Sequence, residues 1–292
     1  MSEKQLFPPL RIDQIIEGIT TDSPIQDFHI DRFESFRQVI RHATFPHRHD
    51  FYNIILFTAG SGRHRIDFHD YEIRAGVTFF LTPGQIHSWE LSDDVQGYNI
   101  LFSRNFIERN CAYPPLLELP YFHSLDEEPL LQYHADRIER PMHLIYEEFR
   151  RGREADANIL RVLTKFLLLE AARAFPKTEA ERSDLFRQFE RLVDEHFLRL
   201  RAPSDYAGLL AITSNYLNVL CKRRTGKTAG SLIRERLVLE ACRLLVHSDE
   251  KIAYIADQLG FEEASYFSRF FRKEMGRSPE AFRTENKSQM NK

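Results

Sequence analysis

The sequence has little cysteine. Its three residues, Cys111, Cys221 and Cys242, show no C-x-x-C spacing, which excludes a disulfide framework and a structural zinc site and fits a reducing compartment. Long apolar runs are also absent. The longest, around Ile54 to Phe57, is strand-sized, against the roughly 18 residues a membrane helix needs. Met1-Ser2-Glu3-Lys4-Gln5 lacks an apolar segment followed by a small-residue cleavage site, so a cytoplasmic protein is expected. Neither charge sign is in large excess, the net charge being -3. That balance hides an asymmetry: residues 183–292 hold 19 Lys/Arg against 15 Asp/Glu, a net +4, and the rest holds 21 against 28, a net −7. A polyanion is drawn to the C-terminal part only, although such a difference is common between domains.

What is present is an ordinary globular composition, 42% hydrophobic and 12% aromatic over 292 residues, long enough for two cores. From Ile40 to Phe102 short apolar segments alternate with the turn signals Gly60-Ser61-Gly62, His69-Asp70, Gly76 and Pro83-Gly84. This predicts an all-β barrel or roll over about 37–103. Helical periodicity follows, in Ile138, Met142, Ile145, Tyr146 and Phe149 and again in Ile159, Leu160, Leu163, Leu167 and Leu168, giving helices over about 128–175. The polar stretch Phe175 to Arg182 opens on a helix breaker and reads as a linker, 176–184. The expected fold class is multidomain α+β: a ligand-binding and dimerisation domain over 1–175 and an all-α domain over 185–292.

An internal repeat carries the strongest signal. Tyr216-Leu217-Asn218-Val219-Leu220-Cys221-Lys222-Arg223-Arg224-Thr225-Gly226 recurs fifty residues later as Tyr266-Phe267-Ser268-Arg269-Phe270-Phe271-Arg272-Lys273-Glu274-Met275-Gly276. Apolar residues at 216, 217, 220 and 221, and at 266, 267, 270 and 271, predict a buried stripe on each helix, with a left-handed glycine cap. A shorter helix precedes each copy. Ala211-Ile212 and Gly260-Phe261 supply the small residue and apolar pin of a tight turn, so each copy is a helix-turn-helix. The outer faces offer Ser214, Asn215, Asn218, Lys222 and Arg223, and Ala264, Ser265, Ser268, Arg269, Arg272 and Lys273. Residues near the helix start suit base edges and basic residues near its end suit phosphates. A plain bundle with a solvated basic face would explain one such helix but not two in repeat. Between the copies, Ile233, Leu237, Ala241, Leu244 and Leu245 mark a helix able to hold the two units about one DNA turn, roughly 34 Å, apart.

These residues resemble the AraC/XylS family of transcription regulators. The resemblance rests on Arg236-Leu237-x-x-Glu240-Ala241-x-x-Leu244-Leu245, Ile252-x-x-Ile255-Ala256-x-x-Leu259-Gly260-Phe261, Ser265 through Lys273, and Gly276-x-Ser278-Pro279-x-x-Phe282-Arg283, over about Ser204 to Arg283. It implies base contacts from Asn215, Asn218 and Val219 in the first unit and from Ala264, Ser265, Ser268 and Arg269 in the second. Position 219, often a polar or basic reader, is Val here. Valine can meet a thymine methyl but cannot form a bidentate pair with guanine.

In the β region, His47-x-His49-x-x-x-Asn53, Gly60, Gly76, Pro83-Gly84 and His87 resemble the two cupin motifs, and AraC-like regulators often carry a cupin-like ligand-binding domain there. On one strand, positions 47, 49 and 53 share a face and can converge with His87. His47, His49 and His87 are a possible metal triad, but Asn53 stands where the cupin pattern has Glu, and Leu91 where it has Asn. No cofactor or metal is expected. A small-molecule pocket lined by His47, His49, Asn53, His87 and Trp89 is expected instead. Tyr52, Phe57 and Tyr98 read in part as plain core. The apolar helix faces between Glu128 and Phe175 pack on the barrel, form a dimer interface, or do both.

The sequence therefore reads as a sequence-specific DNA-binding transcription regulator, an activator more than a repressor and not an enzyme. Its expected partners are double-stranded operator DNA, a small-molecule effector, RNA polymerase and a second copy of itself, with no membrane. The alternative is a metal-dependent cupin enzyme with an attached helical region.

Overall fold

The computed structural model of the protein describes residues 10–16, 25–35, 46–109, 119–122, 129–132, 135–174 and 184–290. They separate into two compact units, one within Pro9–Thr178 and one within Glu179–Lys292. Residues 37–45, Cys111 and most of the expected linker lie outside the described residues; the linker's last residue, Asp184, already begins a helix.

The first unit contains α1 (Ile12–Ile16), β1 (Phe28–Arg32), β2 (His47–Arg48), β3 (Tyr52–Ala59), β4 (Gly62–Ile66), β5 (His69–Ile73), β6 (Thr78–Leu81), β7 (Ile86–Leu91), β8 (Gln96–Phe102), α2 (Arg104–Glu108), β9 (Leu130–Leu131), α3 (Ala135–Phe149) and α4 (Ala157–Ala174). Its strands form a five-stranded sheet, β1-β8-β3-β6-β9, and a four-stranded sheet, β2-β7-β4-β5. Every pairing is antiparallel. The apolar run in β3 follows from burial on both faces. Tyr52, Ile54 and Leu56 join the cluster that holds α3 and α4, while Ile55 and Phe57 join the cluster between the sheets with Ile66, Phe79 and Trp89. His64 of one sheet lies 4.6 Å, ring to ring, from Phe79 of the other, so Asn53, in step with Ile55 and Phe57, faces the same interior. Tyr121 Oη donates to Leu168 O at 2.6 Å and Arg161 Nε to Phe106 O at 2.6 Å, tying α4 to the segments beneath it.

Two expectations change. The sheet begins before residue 37, with β1, whose alternation Phe28-His29-Ile30-Asp31-Arg32 is a period-two strand signal paired to β8 from Phe28↔Phe102 to Arg32↔Tyr98. His69-Asp70 is not a turn but the start of β5. The hairpin turns two residues earlier, at Asp67-Phe68, where Asp67 takes φ 53°, and Asp70 stays on the edge strand in a bidentate pair with Arg65 at 2.6 and 3.0 Å. Charges on an edge strand oppose pairing with another chain.

The second unit is all helix: α5 (Asp184–His196), α6 (Pro203–Leu209), α7 (Ser214–Thr225), α8 (Ala229–His247), α9 (Ile252–Gln258), α10 (Ala264–Met275) and α11 (Pro279–Met290). One continuous core runs from Phe186 to Phe282, so both helix-turn-helix units share it. The helix α8 is not a bare spacer. Its 19 residues span roughly 28 Å at 1.5 Å each, and most of its surface is buried between the units. Even two of its three arginines are enclosed: Arg236 donates to Asp194 at 2.7 Å and sits 4.0 Å over the Phe197 ring, and Arg243 pairs with Glu240 at 3.2 Å. Arg283 of α11 closes the end of α8, donating to Leu245 O at 3.1 Å and Glu250 O at 2.6 Å.

Candidate DNA-reading surface and sensor interior

The helix α7 starts at a Thr213 cap, whose hydroxyl accepts the Tyr216 N–H at 3.2 Å, and ends at Gly226 with φ 74°. Leu217, Leu220 and Cys221 face the core. Asn215, Tyr216, Val219, Lys222 and Arg223 are exposed, and Ser214 and Asn218 are half-buried. Positions 215, 219, 222 and 223 fall at i, i+4, i+7 and i+8 and so form one face. The expected stripe fails at its first position in both copies, because Tyr216 is 53% and Tyr266 58% exposed. Each lies one residue, about 100° of rotation, before the buried Leu217 or Phe267, which puts the ring on the rim of the polar face. Asn218 also serves the fold, since its Oδ1 accepts the Ala229 N–H at 3.1 Å, satisfying an open donor at the start of α8.

The helix α10 repeats the arrangement with different chemistry. Phe267 and Phe271 are buried, and Gly276 closes it at φ 71°. Ser265, Arg269, Arg272 and Lys273 are exposed at i, i+4, i+7 and i+8, and Ser268 is half-buried. Ala264 packs in part against the core. Ser265 Oγ donates to Glu263 Oε2 at 2.9 Å. The basic pairs Lys222/Arg223 and Arg272/Lys273 occupy the last turns of their helices, where the helix dipole also favours cations.

The turn before α10 is held by a residue the sequence did not single out. Arg201, between α5 and α6, donates through one guanidinium nitrogen to Leu259 O and, at 3.1 Å, to Gly260 O. Its guanidinium also lies 4.1 Å over the Phe261 ring. Gly260 takes φ 72°, and a Cβ there would stand 2.8 Å from Leu198 O, so only glycine fits this close approach. Ala211 takes the matching place in the first turn at φ 54°. A lone arginine in a connecting segment carries no sequence pattern that would have revealed its role.

The β unit gathers most of the expected pocket residues in its interior. His47 pairs with His87 across β2 and β7, and His64 with Trp89 across β4 and β7. The His87 ring lies 4.4 Å from His47, 5.1 Å from His49, 5.3 Å from His64 and 5.3 Å from Trp89. The expected single strand through 47, 49 and 53 is broken: the chain leaves the four-stranded sheet after Arg48 and enters β3 at Tyr52. His64 is an addition; its Nε2 lies 3.0 Å from His87 Nδ1. The His49 Nδ1–H donates to Phe51 O at 2.7 Å, which leaves Nε2 as an acceptor.

Six buried polar atoms here have no protein partner: His49 Nε2, His64 Nδ1, His87 Nε2, Asn53 Oδ1, Asn99 Oδ1 and Trp89 Nε1. Burial holds the imidazoles neutral. It lowers His49 and His64 to about 3, with neighbouring histidines adding to the effect, and pushes His87 well below its ordinary value. Among the described residues, no group of three or more His, Cys, Asp or Glu side chains is arranged to hold a metal ion.

Two helix-turn-helix units on one core, joined to a sheet-rich unit with a polar interior, define a DNA-binding regulator of transcription with a ligand-binding domain. The family comparisons agree. An AraC-like ligand-binding domain model matches residues 33–164 and a helix-turn-helix domain model matches residues 206–285. The chain belongs to the AraC/XylS family of transcription regulators. Among curated proteins it is 25% identical over 246 residues to the HTH-type transcriptional activator RhaS of Klebsiella pneumoniae, covering 82% of this chain and 88% of that protein. It is 24% identical over 245 residues to the HTH-type transcriptional activator RhaR of Yersinia pestis, covering 81% and 83%. Of solved structures, ToxT from Vibrio cholerae aligns over 89% of this chain and 98% of its own, at TM-score 0.44 and 18% identity.

Proposed function

We propose that this regulator is controlled by a small molecule bound in the interior of the β unit. The six unpaired polar atoms carry the reading, because a buried polar group without a hydrogen bond costs about 1–3 kcal/mol and a ligand with matching donors and acceptors removes that cost. His47, His49, Asn53, His87 and Trp89 line the site, together with His64 and Asn99. The interior serves sensing rather than catalysis: Asn53 replaces the carboxylate of the cupin metal pattern, and the relatives named above are regulators.

Titration calorimetry of the full chain against a panel of neutral metabolites tests this. Expected is a binder whose heat is lost in His64→Phe while operator affinity without ligand is unchanged. A panel that yields no binder, or one bound equally by the variant, would refute the assignment.

The DNA face reads a double-stranded operator through Ser214, Asn215, Asn218 and Val219 in the first unit and Ala264, Ser265, Ser268 and Arg269 in the second. Lys222, Arg223, Arg272 and Lys273 hold phosphates. A homodimer is the working form. Ile159, Val162, Phe166 and Leu169 of α4 are 44–65% exposed and recur at alternating steps of three and four, the seam of a paired helix, and a two-fold protein matches a two-fold operator. Activation through contact with RNA polymerase in the cytoplasm follows the named relatives, which are activators. Sedimentation equilibrium of Val162→Glu should show monomer; an unchanged dimer would discard this seam.

A further inference from the structure

Glu263 occupies the cap position of α10, matching Thr213 of α7 in the fifty-residue repeat. Thr213 caps its helix. Glu263 makes no side-chain cap bond, although Ser, Thr, Asp or Asn at that position would stabilise the helix. It is exposed and carries negative charge at the helix end that enters a groove walled by phosphates. The helix dipole favours a carboxylate there, but without a cap bond the Glu263 side chain is not committed to the helix end and stands on the face that meets the duplex.

The surrounding side chains say what it can do there. Ala264 is short and packs partly on the core, and Ser265 is short and donates its hydroxyl proton to Glu263 Oε2 at 2.9 Å. Among residues 263–265, Glu263 is therefore the one long enough to reach the groove floor, and the Ser265 bond orients its carboxylate. An ionised carboxylate only accepts hydrogen bonds. Of the major-groove base edges, cytosine offers N4–H2 as a donor, whereas adenine sets its N6–H2 beside the N7 acceptor, which repels a carboxylate.

We infer that Glu263 is a base-reading residue that selects a cytosine in the part of the operator met by the second helix-turn-helix. The carboxylate accepts from cytosine N4 while Arg269, on the same helix, pairs with guanine. The inference rests on DNA reading by this helix.

The test is selection from random DNA by full-length wild type, Glu263→Gln, Glu263→Ser and Arg269→Ala, with affinities then measured on single-base variants of the selected site. The expected wild-type site holds a cytosine preferred about tenfold. Glu263→Gln should move that step to adenine, because a carboxamide pairs with N6 and N7. Glu263→Ser should make it degenerate while Arg269→Ala spares it and relaxes a guanine step. Identical preferences in wild type and both Glu263 variants, or a uniform gain of affinity for all DNA in the variants, would overturn the inference and leave Glu263 as a repulsive charge only. Failure of the underlying reading looks different: Arg269→Ala would then select the same site as wild type.

Discussion

The two units expose their polar chemistry in opposite ways. In the helical unit the candidate reading side chains stand in or near solvent, on one face of α7 and one of α10, where water serves them. In the β unit the polar groups are sealed between two sheets, and six of their atoms lack a partner. A surface for a polyanion can wait in water at little cost. A buried interior of the kind proposed for a small molecule carries that cost in the fold as long as no partner fills it. The same contrast recurs in miniature between the two helix-turn-helix units. They share a core and a left-handed glycine at the C-terminal cap, yet one turn uses Ala211 and presents Val219, while the other uses Gly260 under an arginine clamp and presents Arg269.

Acid should break the first comparison most strongly. His49 and His64 titrate near 3 in the folded β unit and His87 well below its ordinary value, against about 6.5 in an unfolded chain. Between those values the unfolded chain binds more protons, so stability is complete above about pH 6.5 and falls as pH drops through the window. From pH 7 to 5 the loss is on the order of 2 kcal/mol per histidine. Trp89, the one tryptophan of the chain, lies in this interior and reports it. Its fluorescence melt should shift down by many degrees, more than the ellipticity melt dominated by the helical unit. Equal shifts would mean that the imidazoles are not held neutral.

Gly260→Ala attacks the difference between the turns. Its Cβ would meet Leu198 O at 2.8 Å with the backbone at φ 72°, and a cost of about 2–3 kcal/mol is expected. Ala211→Gly, at φ 54°, should be neutral or stabilise by about 0.5 kcal/mol. Chemical denaturation of both variants checks the pair, and a harmless Gly260→Ala would show that the second turn has more room than its contacts allow. Arg269→Ala should cost about 1–3 kcal/mol on the cognate site and far less on random DNA. Lys273→Ala should cost less and equally on both, with a shallower salt dependence. Equal losses for the two would erase the division between readers and phosphate holders.

Much of this was legible in the sequence because a repeat repeats its physics. The turns at Ala211 and Gly260, the caps at Gly226 and Gly276 and the buried face of α8 all follow from apolar spacing and glycine. Other features depend on partners distant in sequence. Arg201 acts on Leu259, Gly260 and Phe261 nearly sixty residues away, and nothing local marks it. His64 lies outside both cupin-like motifs, though Arg63-His64-Arg65-Ile66 alternates, and a histidine in step with Ile66 on such a strand must point inward. β1 carried the same kind of signal. The break between His49 and Asn53 was hidden because a period-two argument assumes one unbroken strand, and the chain changes sheets there. Tyr216 and Tyr266 misled for another reason: tyrosine counts as apolar in a stripe, but its hydroxyl tolerates a place on the rim.

The smallest effect expected is at Val219, and it bears most directly on whether the two reading helices differ in kind. Val219 is 54% exposed at the position that Arg269 fills in the second copy, on the same face as Asn215. If its methyl groups meet a thymine methyl, Val219→Ala should cost about 0.5–1 kcal/mol on the selected site and nothing when that thymine is replaced by uracil, which lacks the methyl but keeps O4. Val219→Arg should instead move the preferred base at that step to guanine, making the first helix resemble the second. A Val219→Ala loss that persists with uracil would assign the valine to helix packing, and the asymmetry between the two readers would then lie in Asn215 and Asn218 alone.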